Sequence, residues 1–179
     1  MVYARSMKRI CAMFAILAPL CTPVSAMADA PTPLGPNHGK FGTWTAATYG
    51  DGTAKICYAF TKPLVSKPNW KSRSLVMLTV TERPGVRDEV TITPGYTYPK
   101  AAKVSLAVGK LSIPFYVQDG TAFTDDGAKA LAAFVKADTA SANSSAPKSG
   151  GPKSKTPVLD EFSLTGFSAA YHAIEHACP

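Results

Sequence analysis

The chain has 179 residues, 46% of them hydrophobic and 17% charged, and carries a formal net charge of +7. That is enough apolar material for one packed core and too little charge for a disordered tail protein. The basic residues are spread along the chain, without the dense patch interleaved with aromatics that nucleic-acid binding usually demands.

The chain begins as an export signal does. Lys8 and Arg9 form a positive start, with Arg5 adding to it, and Ile10 to Leu20 is an uncharged, largely apolar run. That run is shorter than the roughly 20 residues needed to span a bilayer. Val24-Ser25-Ala26 and Ala26-Met27-Ala28 offer the small side chains that signal peptidase requires. Residues 1–26 are therefore predicted to be a signal peptide, with cleavage after Ala26 or Ala28. Lipidation at Cys21 is disfavoured by the bulky Leu20 before it. The expected location is the periplasm, or the outside of the cell as a secreted or outer-surface protein, with no transmembrane segment left after cleavage.

Cleavage removes three basic residues and leaves sixteen Lys and Arg against twelve Asp and Glu, or +4. It also removes Cys11 and Cys21, leaving Cys57 and Cys178. An even count in an oxidising compartment predicts a disulfide. Two free thiols and a pair of intermolecular bridges are the alternatives.

Residues 27–40 are rich in Pro and Gly and read as a loose segment. Residues 41–179 then read as a single β-rich domain. Short apolar runs recur between turn signals at Gly50-Asp51-Gly52, Pro84-Gly85, Pro94-Gly95, Gly109-Lys110 and Asp119-Gly120. That rhythm favours a mainly β, antiparallel sandwich-like fold. Strands are expected at 41–49, 54–61, 74–82, 88–93 and 158–164, with Leu75 to Val80 central. Lys103 to Val117 reads as a hairpin with a two-residue loop. Its register sets Val108 opposite Leu111, Leu106 opposite Ile113 and Val104 opposite Phe115, all on one face. Pro114 cannot donate to a ladder, so its strand should lie at an edge or carry a bulge.

Two helices break the β pattern. Asp125 and Asp126 precede Ala128, Leu131, Phe134 and Val135 at helical spacing, and the aspartates suit a first turn. The second helix runs from about Phe167 to Ala177. Phe167, Tyr171, Ile174 and Cys178 form a narrow stripe that should dock on the sheet. Cys178 then lies on the docked face and Cys57 in an apolar strand, which makes a bridge between them geometrically reasonable. Residues 139–157 are rich in Ser, Ala, Gly, Pro and Lys and read as a flexible loop.

A series of motifs runs through the chain in order. It begins with Phe41-Gly-Thr-Trp44-Thr45, Lys55-Ile-Cys57-Tyr58-Ala59 and Thr81-Glu-Arg83-Pro84. Next come Arg87-Asp-Glu89-Val90, Gly95-Tyr96 and Gly120-Thr-Ala122-Phe123. It ends with Ser163-Leu-Thr-Gly166-Phe167-Ser168-Ala169-Ala170 and Ala177-Cys178-Pro179. In this series the chain resembles the invasion-associated locus B family of Gram-negative bacterial envelope proteins. The resemblance implies an exported envelope protein, tied in some members to entry into host cells and so to virulence. It implies no established catalytic residue. It would also put a regular strand near 140–157, where the composition reads as a loop.

Catalytic chemistry has one lead. His172-Ala-Ile-Glu175-His176 has the H-x-x-E-H spacing of inverted zinc peptidases, in which two histidines hold a metal and the glutamate is the base. Both histidines, however, lie roughly opposite the apolar stripe, and no third ligand is evident. A metal-dependent hydrolase is thus the alternative reading, and a solvated helix face the plain one. No G-x-S-x-G, G-x-x-x-x-G-K-[ST] or C-x-x-C occurs, and no cofactor is called for. Asp88 and Glu89 are adjacent on a strand, so they should point to opposite faces and serve as solvated or paired charges. Trp44 reads as core. Trp70, in Lys67-Pro-Asn-Trp70-Lys71, sits in a loop among lysines, so Lys67, Trp70 and Lys71 are the candidate contacts for a protein or envelope partner. The function expected is a non-catalytic, partner-binding module.

Overall fold

The computed structural model describes residues 30–71, 73–99, 101–147 and 155–179. The expected signal peptide, its cleavage sites, Cys11 and Cys21 lie outside them.

The fold is mainly antiparallel β. In chain order the strands are β1 (Thr32–Pro33), β2 (Lys40–Phe41), β3 (Trp44–Tyr49), β4 (Ile56–Thr61), β5 (Pro63–Lys67) and β6 (Met77–Arg83). They continue with β7 (Val86–Thr93), β8 (Val104–Val108), β9 (Leu111–Gln118), β10 (Thr121–Phe123), β11 (Thr139–Pro147) and β12 (Lys155–Ser163). Among the described residues two α-helices of two turns or more complete it, α1 (Gly127–Phe134) and α2 (Phe167–Ala177), with a short 3-10 turn at Gly52–Ala54. One sheet path runs β1-β3-β4-β6-β7-β10-β9-β8-β11-β12-β5, with β2 beside β3. The path curls around one apolar core that draws on both its halves.

The turn lies in β9, which changes partner along its length. Leu111–Phe115 pair with β8 and Tyr116–Gln118 with β10. Pro114 sits in the stretch with no β10 partner, where a residue lacking an N–H is tolerated. The hairpin register is the expected one, Val104 opposite Phe115, Leu106 opposite Ile113 and Val108 opposite Leu111.

On β4, Cys57 and Ala59 are buried while Ile56, Tyr58 and Phe60 line the partly exposed outer face. β6 is central, between β4 and β7. Leu75 precedes that strand and is exposed, as is Val135, which ends α1. Asp126 caps α1, its side chain accepting from the Lys129 N–H at 3.2 Å. That bond satisfies one of the free amides of the first turn.

Helix α2 docks through Phe167, Ala170, Ile174 and Cys178, all buried, with Tyr171 at the margin. Phe167 meets Trp44 edge-on at 5.0 Å and Phe134 at 5.1 Å, so one ring joins β3, α1 and α2. Trp44 is fully buried and its indole N–H donates to the Ser163 carbonyl at 3.0 Å. Gly166 opens the helix at φ 89°, and a Cβ there would run into the Phe41 carbonyl. The position admits only glycine without strain. The Cys57–Cys178 disulfide, Cα–Cα 5.9 Å, fastens the end of α2 to β4.

Two expectations from composition are corrected. The 139–157 segment is not a flexible loop where it is described, since Thr139–Pro147 pairs with both β12 and β8, and Lys155–Ser163 with β11 and β5. Ala140, Ala142 and Ala146 alternate inward, so small side chains supply a period of two that a count of Ser and Ala hides. Nor is 27–40 wholly loose, because Thr32 and Pro33 pair with Thr48 and Ala47, and Lys40 and Phe41 pair with Thr45 and Trp44. Between them, Asn37 and His38 form a left-handed turn.

Candidate interaction surface

The loop that carries Trp70 is anchored by a buried ion pair. Arg73 grips Asp160 of β12 with two nitrogens, Nη1 to Oδ1 at 2.7 Å and Nη2 to Oδ2 at 2.6 Å. Both side chains are almost fully buried. The Arg73 Nε–H donates to the Pro94 carbonyl at 2.6 Å, and the Ser66 hydroxyl donates to Asp160 at 2.7 Å. A buried pair needs such extra partners to offset desolvation. The guanidinium lies 5.3 Å from the Tyr96 ring centroid and 6.0 Å from that of Trp70. Tyr96 meets Trp70 edge-on at 6.0 Å and Tyr98 at 5.4 Å. The Tyr96 hydroxyl pairs with that of Ser144 at 2.8 Å. Burial pushes the phenols of both tyrosines above the usual tyrosine value.

This arrangement divides the expected contact residues. Trp70 is half-buried and packs against Tyr96 and Arg73, so it holds the loop in place. Lys67 and Lys71 on either side of it are exposed.

Beside that loop runs β5, whose sequence neighbour Lys62 is also exposed. β5 ends the sheet path, paired only with β12 among the described residues. Val65 pairs with Glu161 and Pro63 with Phe162, so Leu64 is one residue too many and forms a bulge. The bulge leaves two successive apolar side chains at the surface, Leu64 56% and Val65 40% exposed. Sequence reasoning missed Lys62, Leu64 and Val65. The signal was the short apolar pair in Lys62-Pro-Leu-Val-Ser-Lys67, which is too brief to stand out beside the longer strands.

A second polar cluster surrounds the disulfide. Glu82 of β6 is fully buried. Its Oε1 accepts from the Asp88 N–H at 3.1 Å, and its Oε2 lies 2.8 Å from Arg87 Nε. Burial raises its carboxyl to about 7, outweighing the Asp88 amide and the Arg87 charge. Arg87 also donates to the Cys178 carbonyl, Lys55 Nζ donates to the Ala177 carbonyl at 2.7 Å, and the Tyr171 hydroxyl donates to Asp88 at 2.6 Å. These bonds and the disulfide tie α2 to the sheet. The other adjacent carboxylate, Glu89, pairs with Arg83 at 2.7 Å.

His172, Glu175 and His176 are exposed on the outer face of α2, the two imidazole centroids 4.7 Å apart. They line an open pocket with Arg87 and Pro179. A guanidinium in that pocket opposes a bound cation. Among the described residues no three His, Cys, Asp or Glu side chains converge as a metal site requires.

No family model, no curated protein and no solved structure matches the chain. Among the described residues no helix is long and apolar enough to cross a membrane.

Proposed function

We propose that this protein is an exported envelope or surface module of the invasion-associated locus B type, which binds a protein or envelope partner without catalysing a reaction. The observation that carries this reading is the exposed group Lys62, Lys67 and Lys71 around the bare apolar pair Leu64 and Val65, on the edge strand β5 and the following loop, which the Arg73–Asp160 pair anchors. Rigid scaffolds that present charged loops are the usual form of recognition modules. A disulfide across the core fits an oxidising compartment, which agrees with the export signal read from residues 1–26. Lysines on this surface favour acidic partners, an attraction that salt weakens.

Complementation of a deletion strain separates this reading from the metallohydrolase alternative. Lys67→Glu with Lys71→Glu should abolish partner capture by crosslinking in intact cells. His172→Ala with His176→Ala should leave capture and phenotype unchanged. The opposite pattern, together with bound zinc in protein purified without a nickel column, would replace the binding module by a hydrolase. Trp70 is left intact in this comparison because its ring supports the loop.

A further inference from the structure

A β-strand at the end of a sheet presents unpaired N–H and C=O groups, and proteins guard such edges with lysines and bulges. β5 has both devices, with Lys62, Lys67 and Lys71 at the surface and the bulge at Leu64. Three ammonium groups make pairing of β5 with a second copy of itself repulsive. They have the opposite effect on an acidic chain. Glu161, opposite Val65, is the one carboxylate that β12 sets on the outer face, since Asp160 is turned inward onto Arg73. Among the described residues, none of the three lysines has an ion-pair partner.

We propose that the free side of β5 is a strand-addition site for an extended, acidic segment of a partner protein. This rests on the partner-binding reading above and gives it a mode. The incoming segment pairs its main chain with Leu64–Lys67. Its apolar side chains cover Leu64 and Val65, and its carboxylates meet Lys62, Lys67 and Lys71. Main-chain bonding supplies the affinity, and the alternating side chains supply the selectivity. The buried Arg73–Asp160–Ser66 bonds hold β5 and the following loop in one geometry, so the partner does not have to order them.

The test uses the disulfide-intact exported protein and capped octapeptides alternating Val with Glu, followed by amide shifts in heteronuclear NMR. The Val/Glu peptide should shift the amides of Lys62 and Leu64–Lys67 and bind at least tenfold tighter than its Val/Lys counterpart at low salt. Lys67→Glu with Lys71→Glu should lower that affinity at least tenfold. The decisive arm is backbone N-methylation of alternate peptide residues in the two possible registers. One register should lose binding and the other keep it, because a strand bonds a given neighbour through every second residue. Equal binding by both methylated peptides would overturn strand addition, and the lysine surface would remain a partner site if cellular capture still depended on Lys67 and Lys71. Equal binding by Val/Lys and Val/Glu peptides would overturn the acidic specificity. A concentration-dependent dimer that strengthens on Lys67→Glu would assign the edge to a second copy and overturn the proposal. Loss of neither peptide binding nor cellular capture in the lysine double variant would overturn both readings.

Discussion

Cys57 stands directly opposite Glu82 across the β4–β6 ladder, so the bridge to Cys178 and a fully buried carboxyl occupy the same patch of core. The carboxyl titrates at about 7 in the folded protein, where burial raises it, and near 4.5 when the chain is unfolded. Between those values the folded state holds the extra proton. The contribution of Glu82 is therefore fully present below pH 4.5 and is lost as pH rises through 7. Urea midpoints should show up to about 3 kcal/mol of such loss. In Glu82→Gln this pH dependence should disappear. A wild-type curve flat between pH 4.5 and 7.5 would contradict the assignment.

The disulfide should be intact and structural. Native protein should give no titratable thiol, and non-reducing peptide mapping should join Cys57 to Cys178. The double substitution Cys57→Ala with Cys178→Ala should cost about 2–4 kcal/mol. Hydrogen exchange should show α2 losing protection before the strands, because the bridge, Lys55 and Arg87 all act on its end.

Breaking one side of the buried ion pair should be costly. Asp160→Asn leaves the Arg73 guanidinium buried without its counter-charge and should destabilise by roughly 3–5 kcal/mol. Replacing both, as Arg73→Met with Asp160→Leu, should recover much of that loss. Denaturant unfolding of the two singles and the double gives the coupling. Simple additivity would show that the pair is not a unit.

The loop residues should separate by role. Trp70→Ala removes packing from Tyr96 and Arg73 and should cost about 1–2 kcal/mol. Lys67→Glu with Lys71→Glu touches only exposed charges and should stay within about 0.5 kcal/mol of wild type. Thermal melts of both variants check the pair. If Trp70→Ala were silent and the lysine variant unstable, the assignment of support and surface would be reversed.

What the sequence made legible was local. The β8–β9 register follows from alternating Val, Leu, Ile and Phe around Gly109-Lys110, and α2 follows from the Phe167–Ile174 spacing. The disulfide followed from the even count of cysteines and from the stripe that put Cys178 on the docked face. β11 escaped notice because its inward residues are alanines, whose burial leaves little apolar signal. β5 escaped because a bulge breaks its alternation. Lys67 and Lys71 were found as surface charges, while the support role of Trp70 depends on Arg73, which turns toward a carboxylate 87 positions along the chain. No local pattern announces a partner at that distance.

The indole of Trp44 meets the carbonyl of Ser163 across a separation of 119 residues. Closing a flexible loop of that length opposes folding by about 4 kcal/mol of chain entropy. Contacts this remote are made late, after hairpins such as β8–β9 have formed on the microsecond scale. A mainly antiparallel fold built on such remote pairings is expected to fold on the millisecond-to-second scale, which stopped-flow refolding would measure. Until β3 and β12 meet, the apolar core between them stands open, and the β5 edge, unpaired among the described residues even in the finished fold, is guarded by its lysines and its bulge. Those side chains thus protect the folding chain against aggregation as well as marking the surface of the finished one.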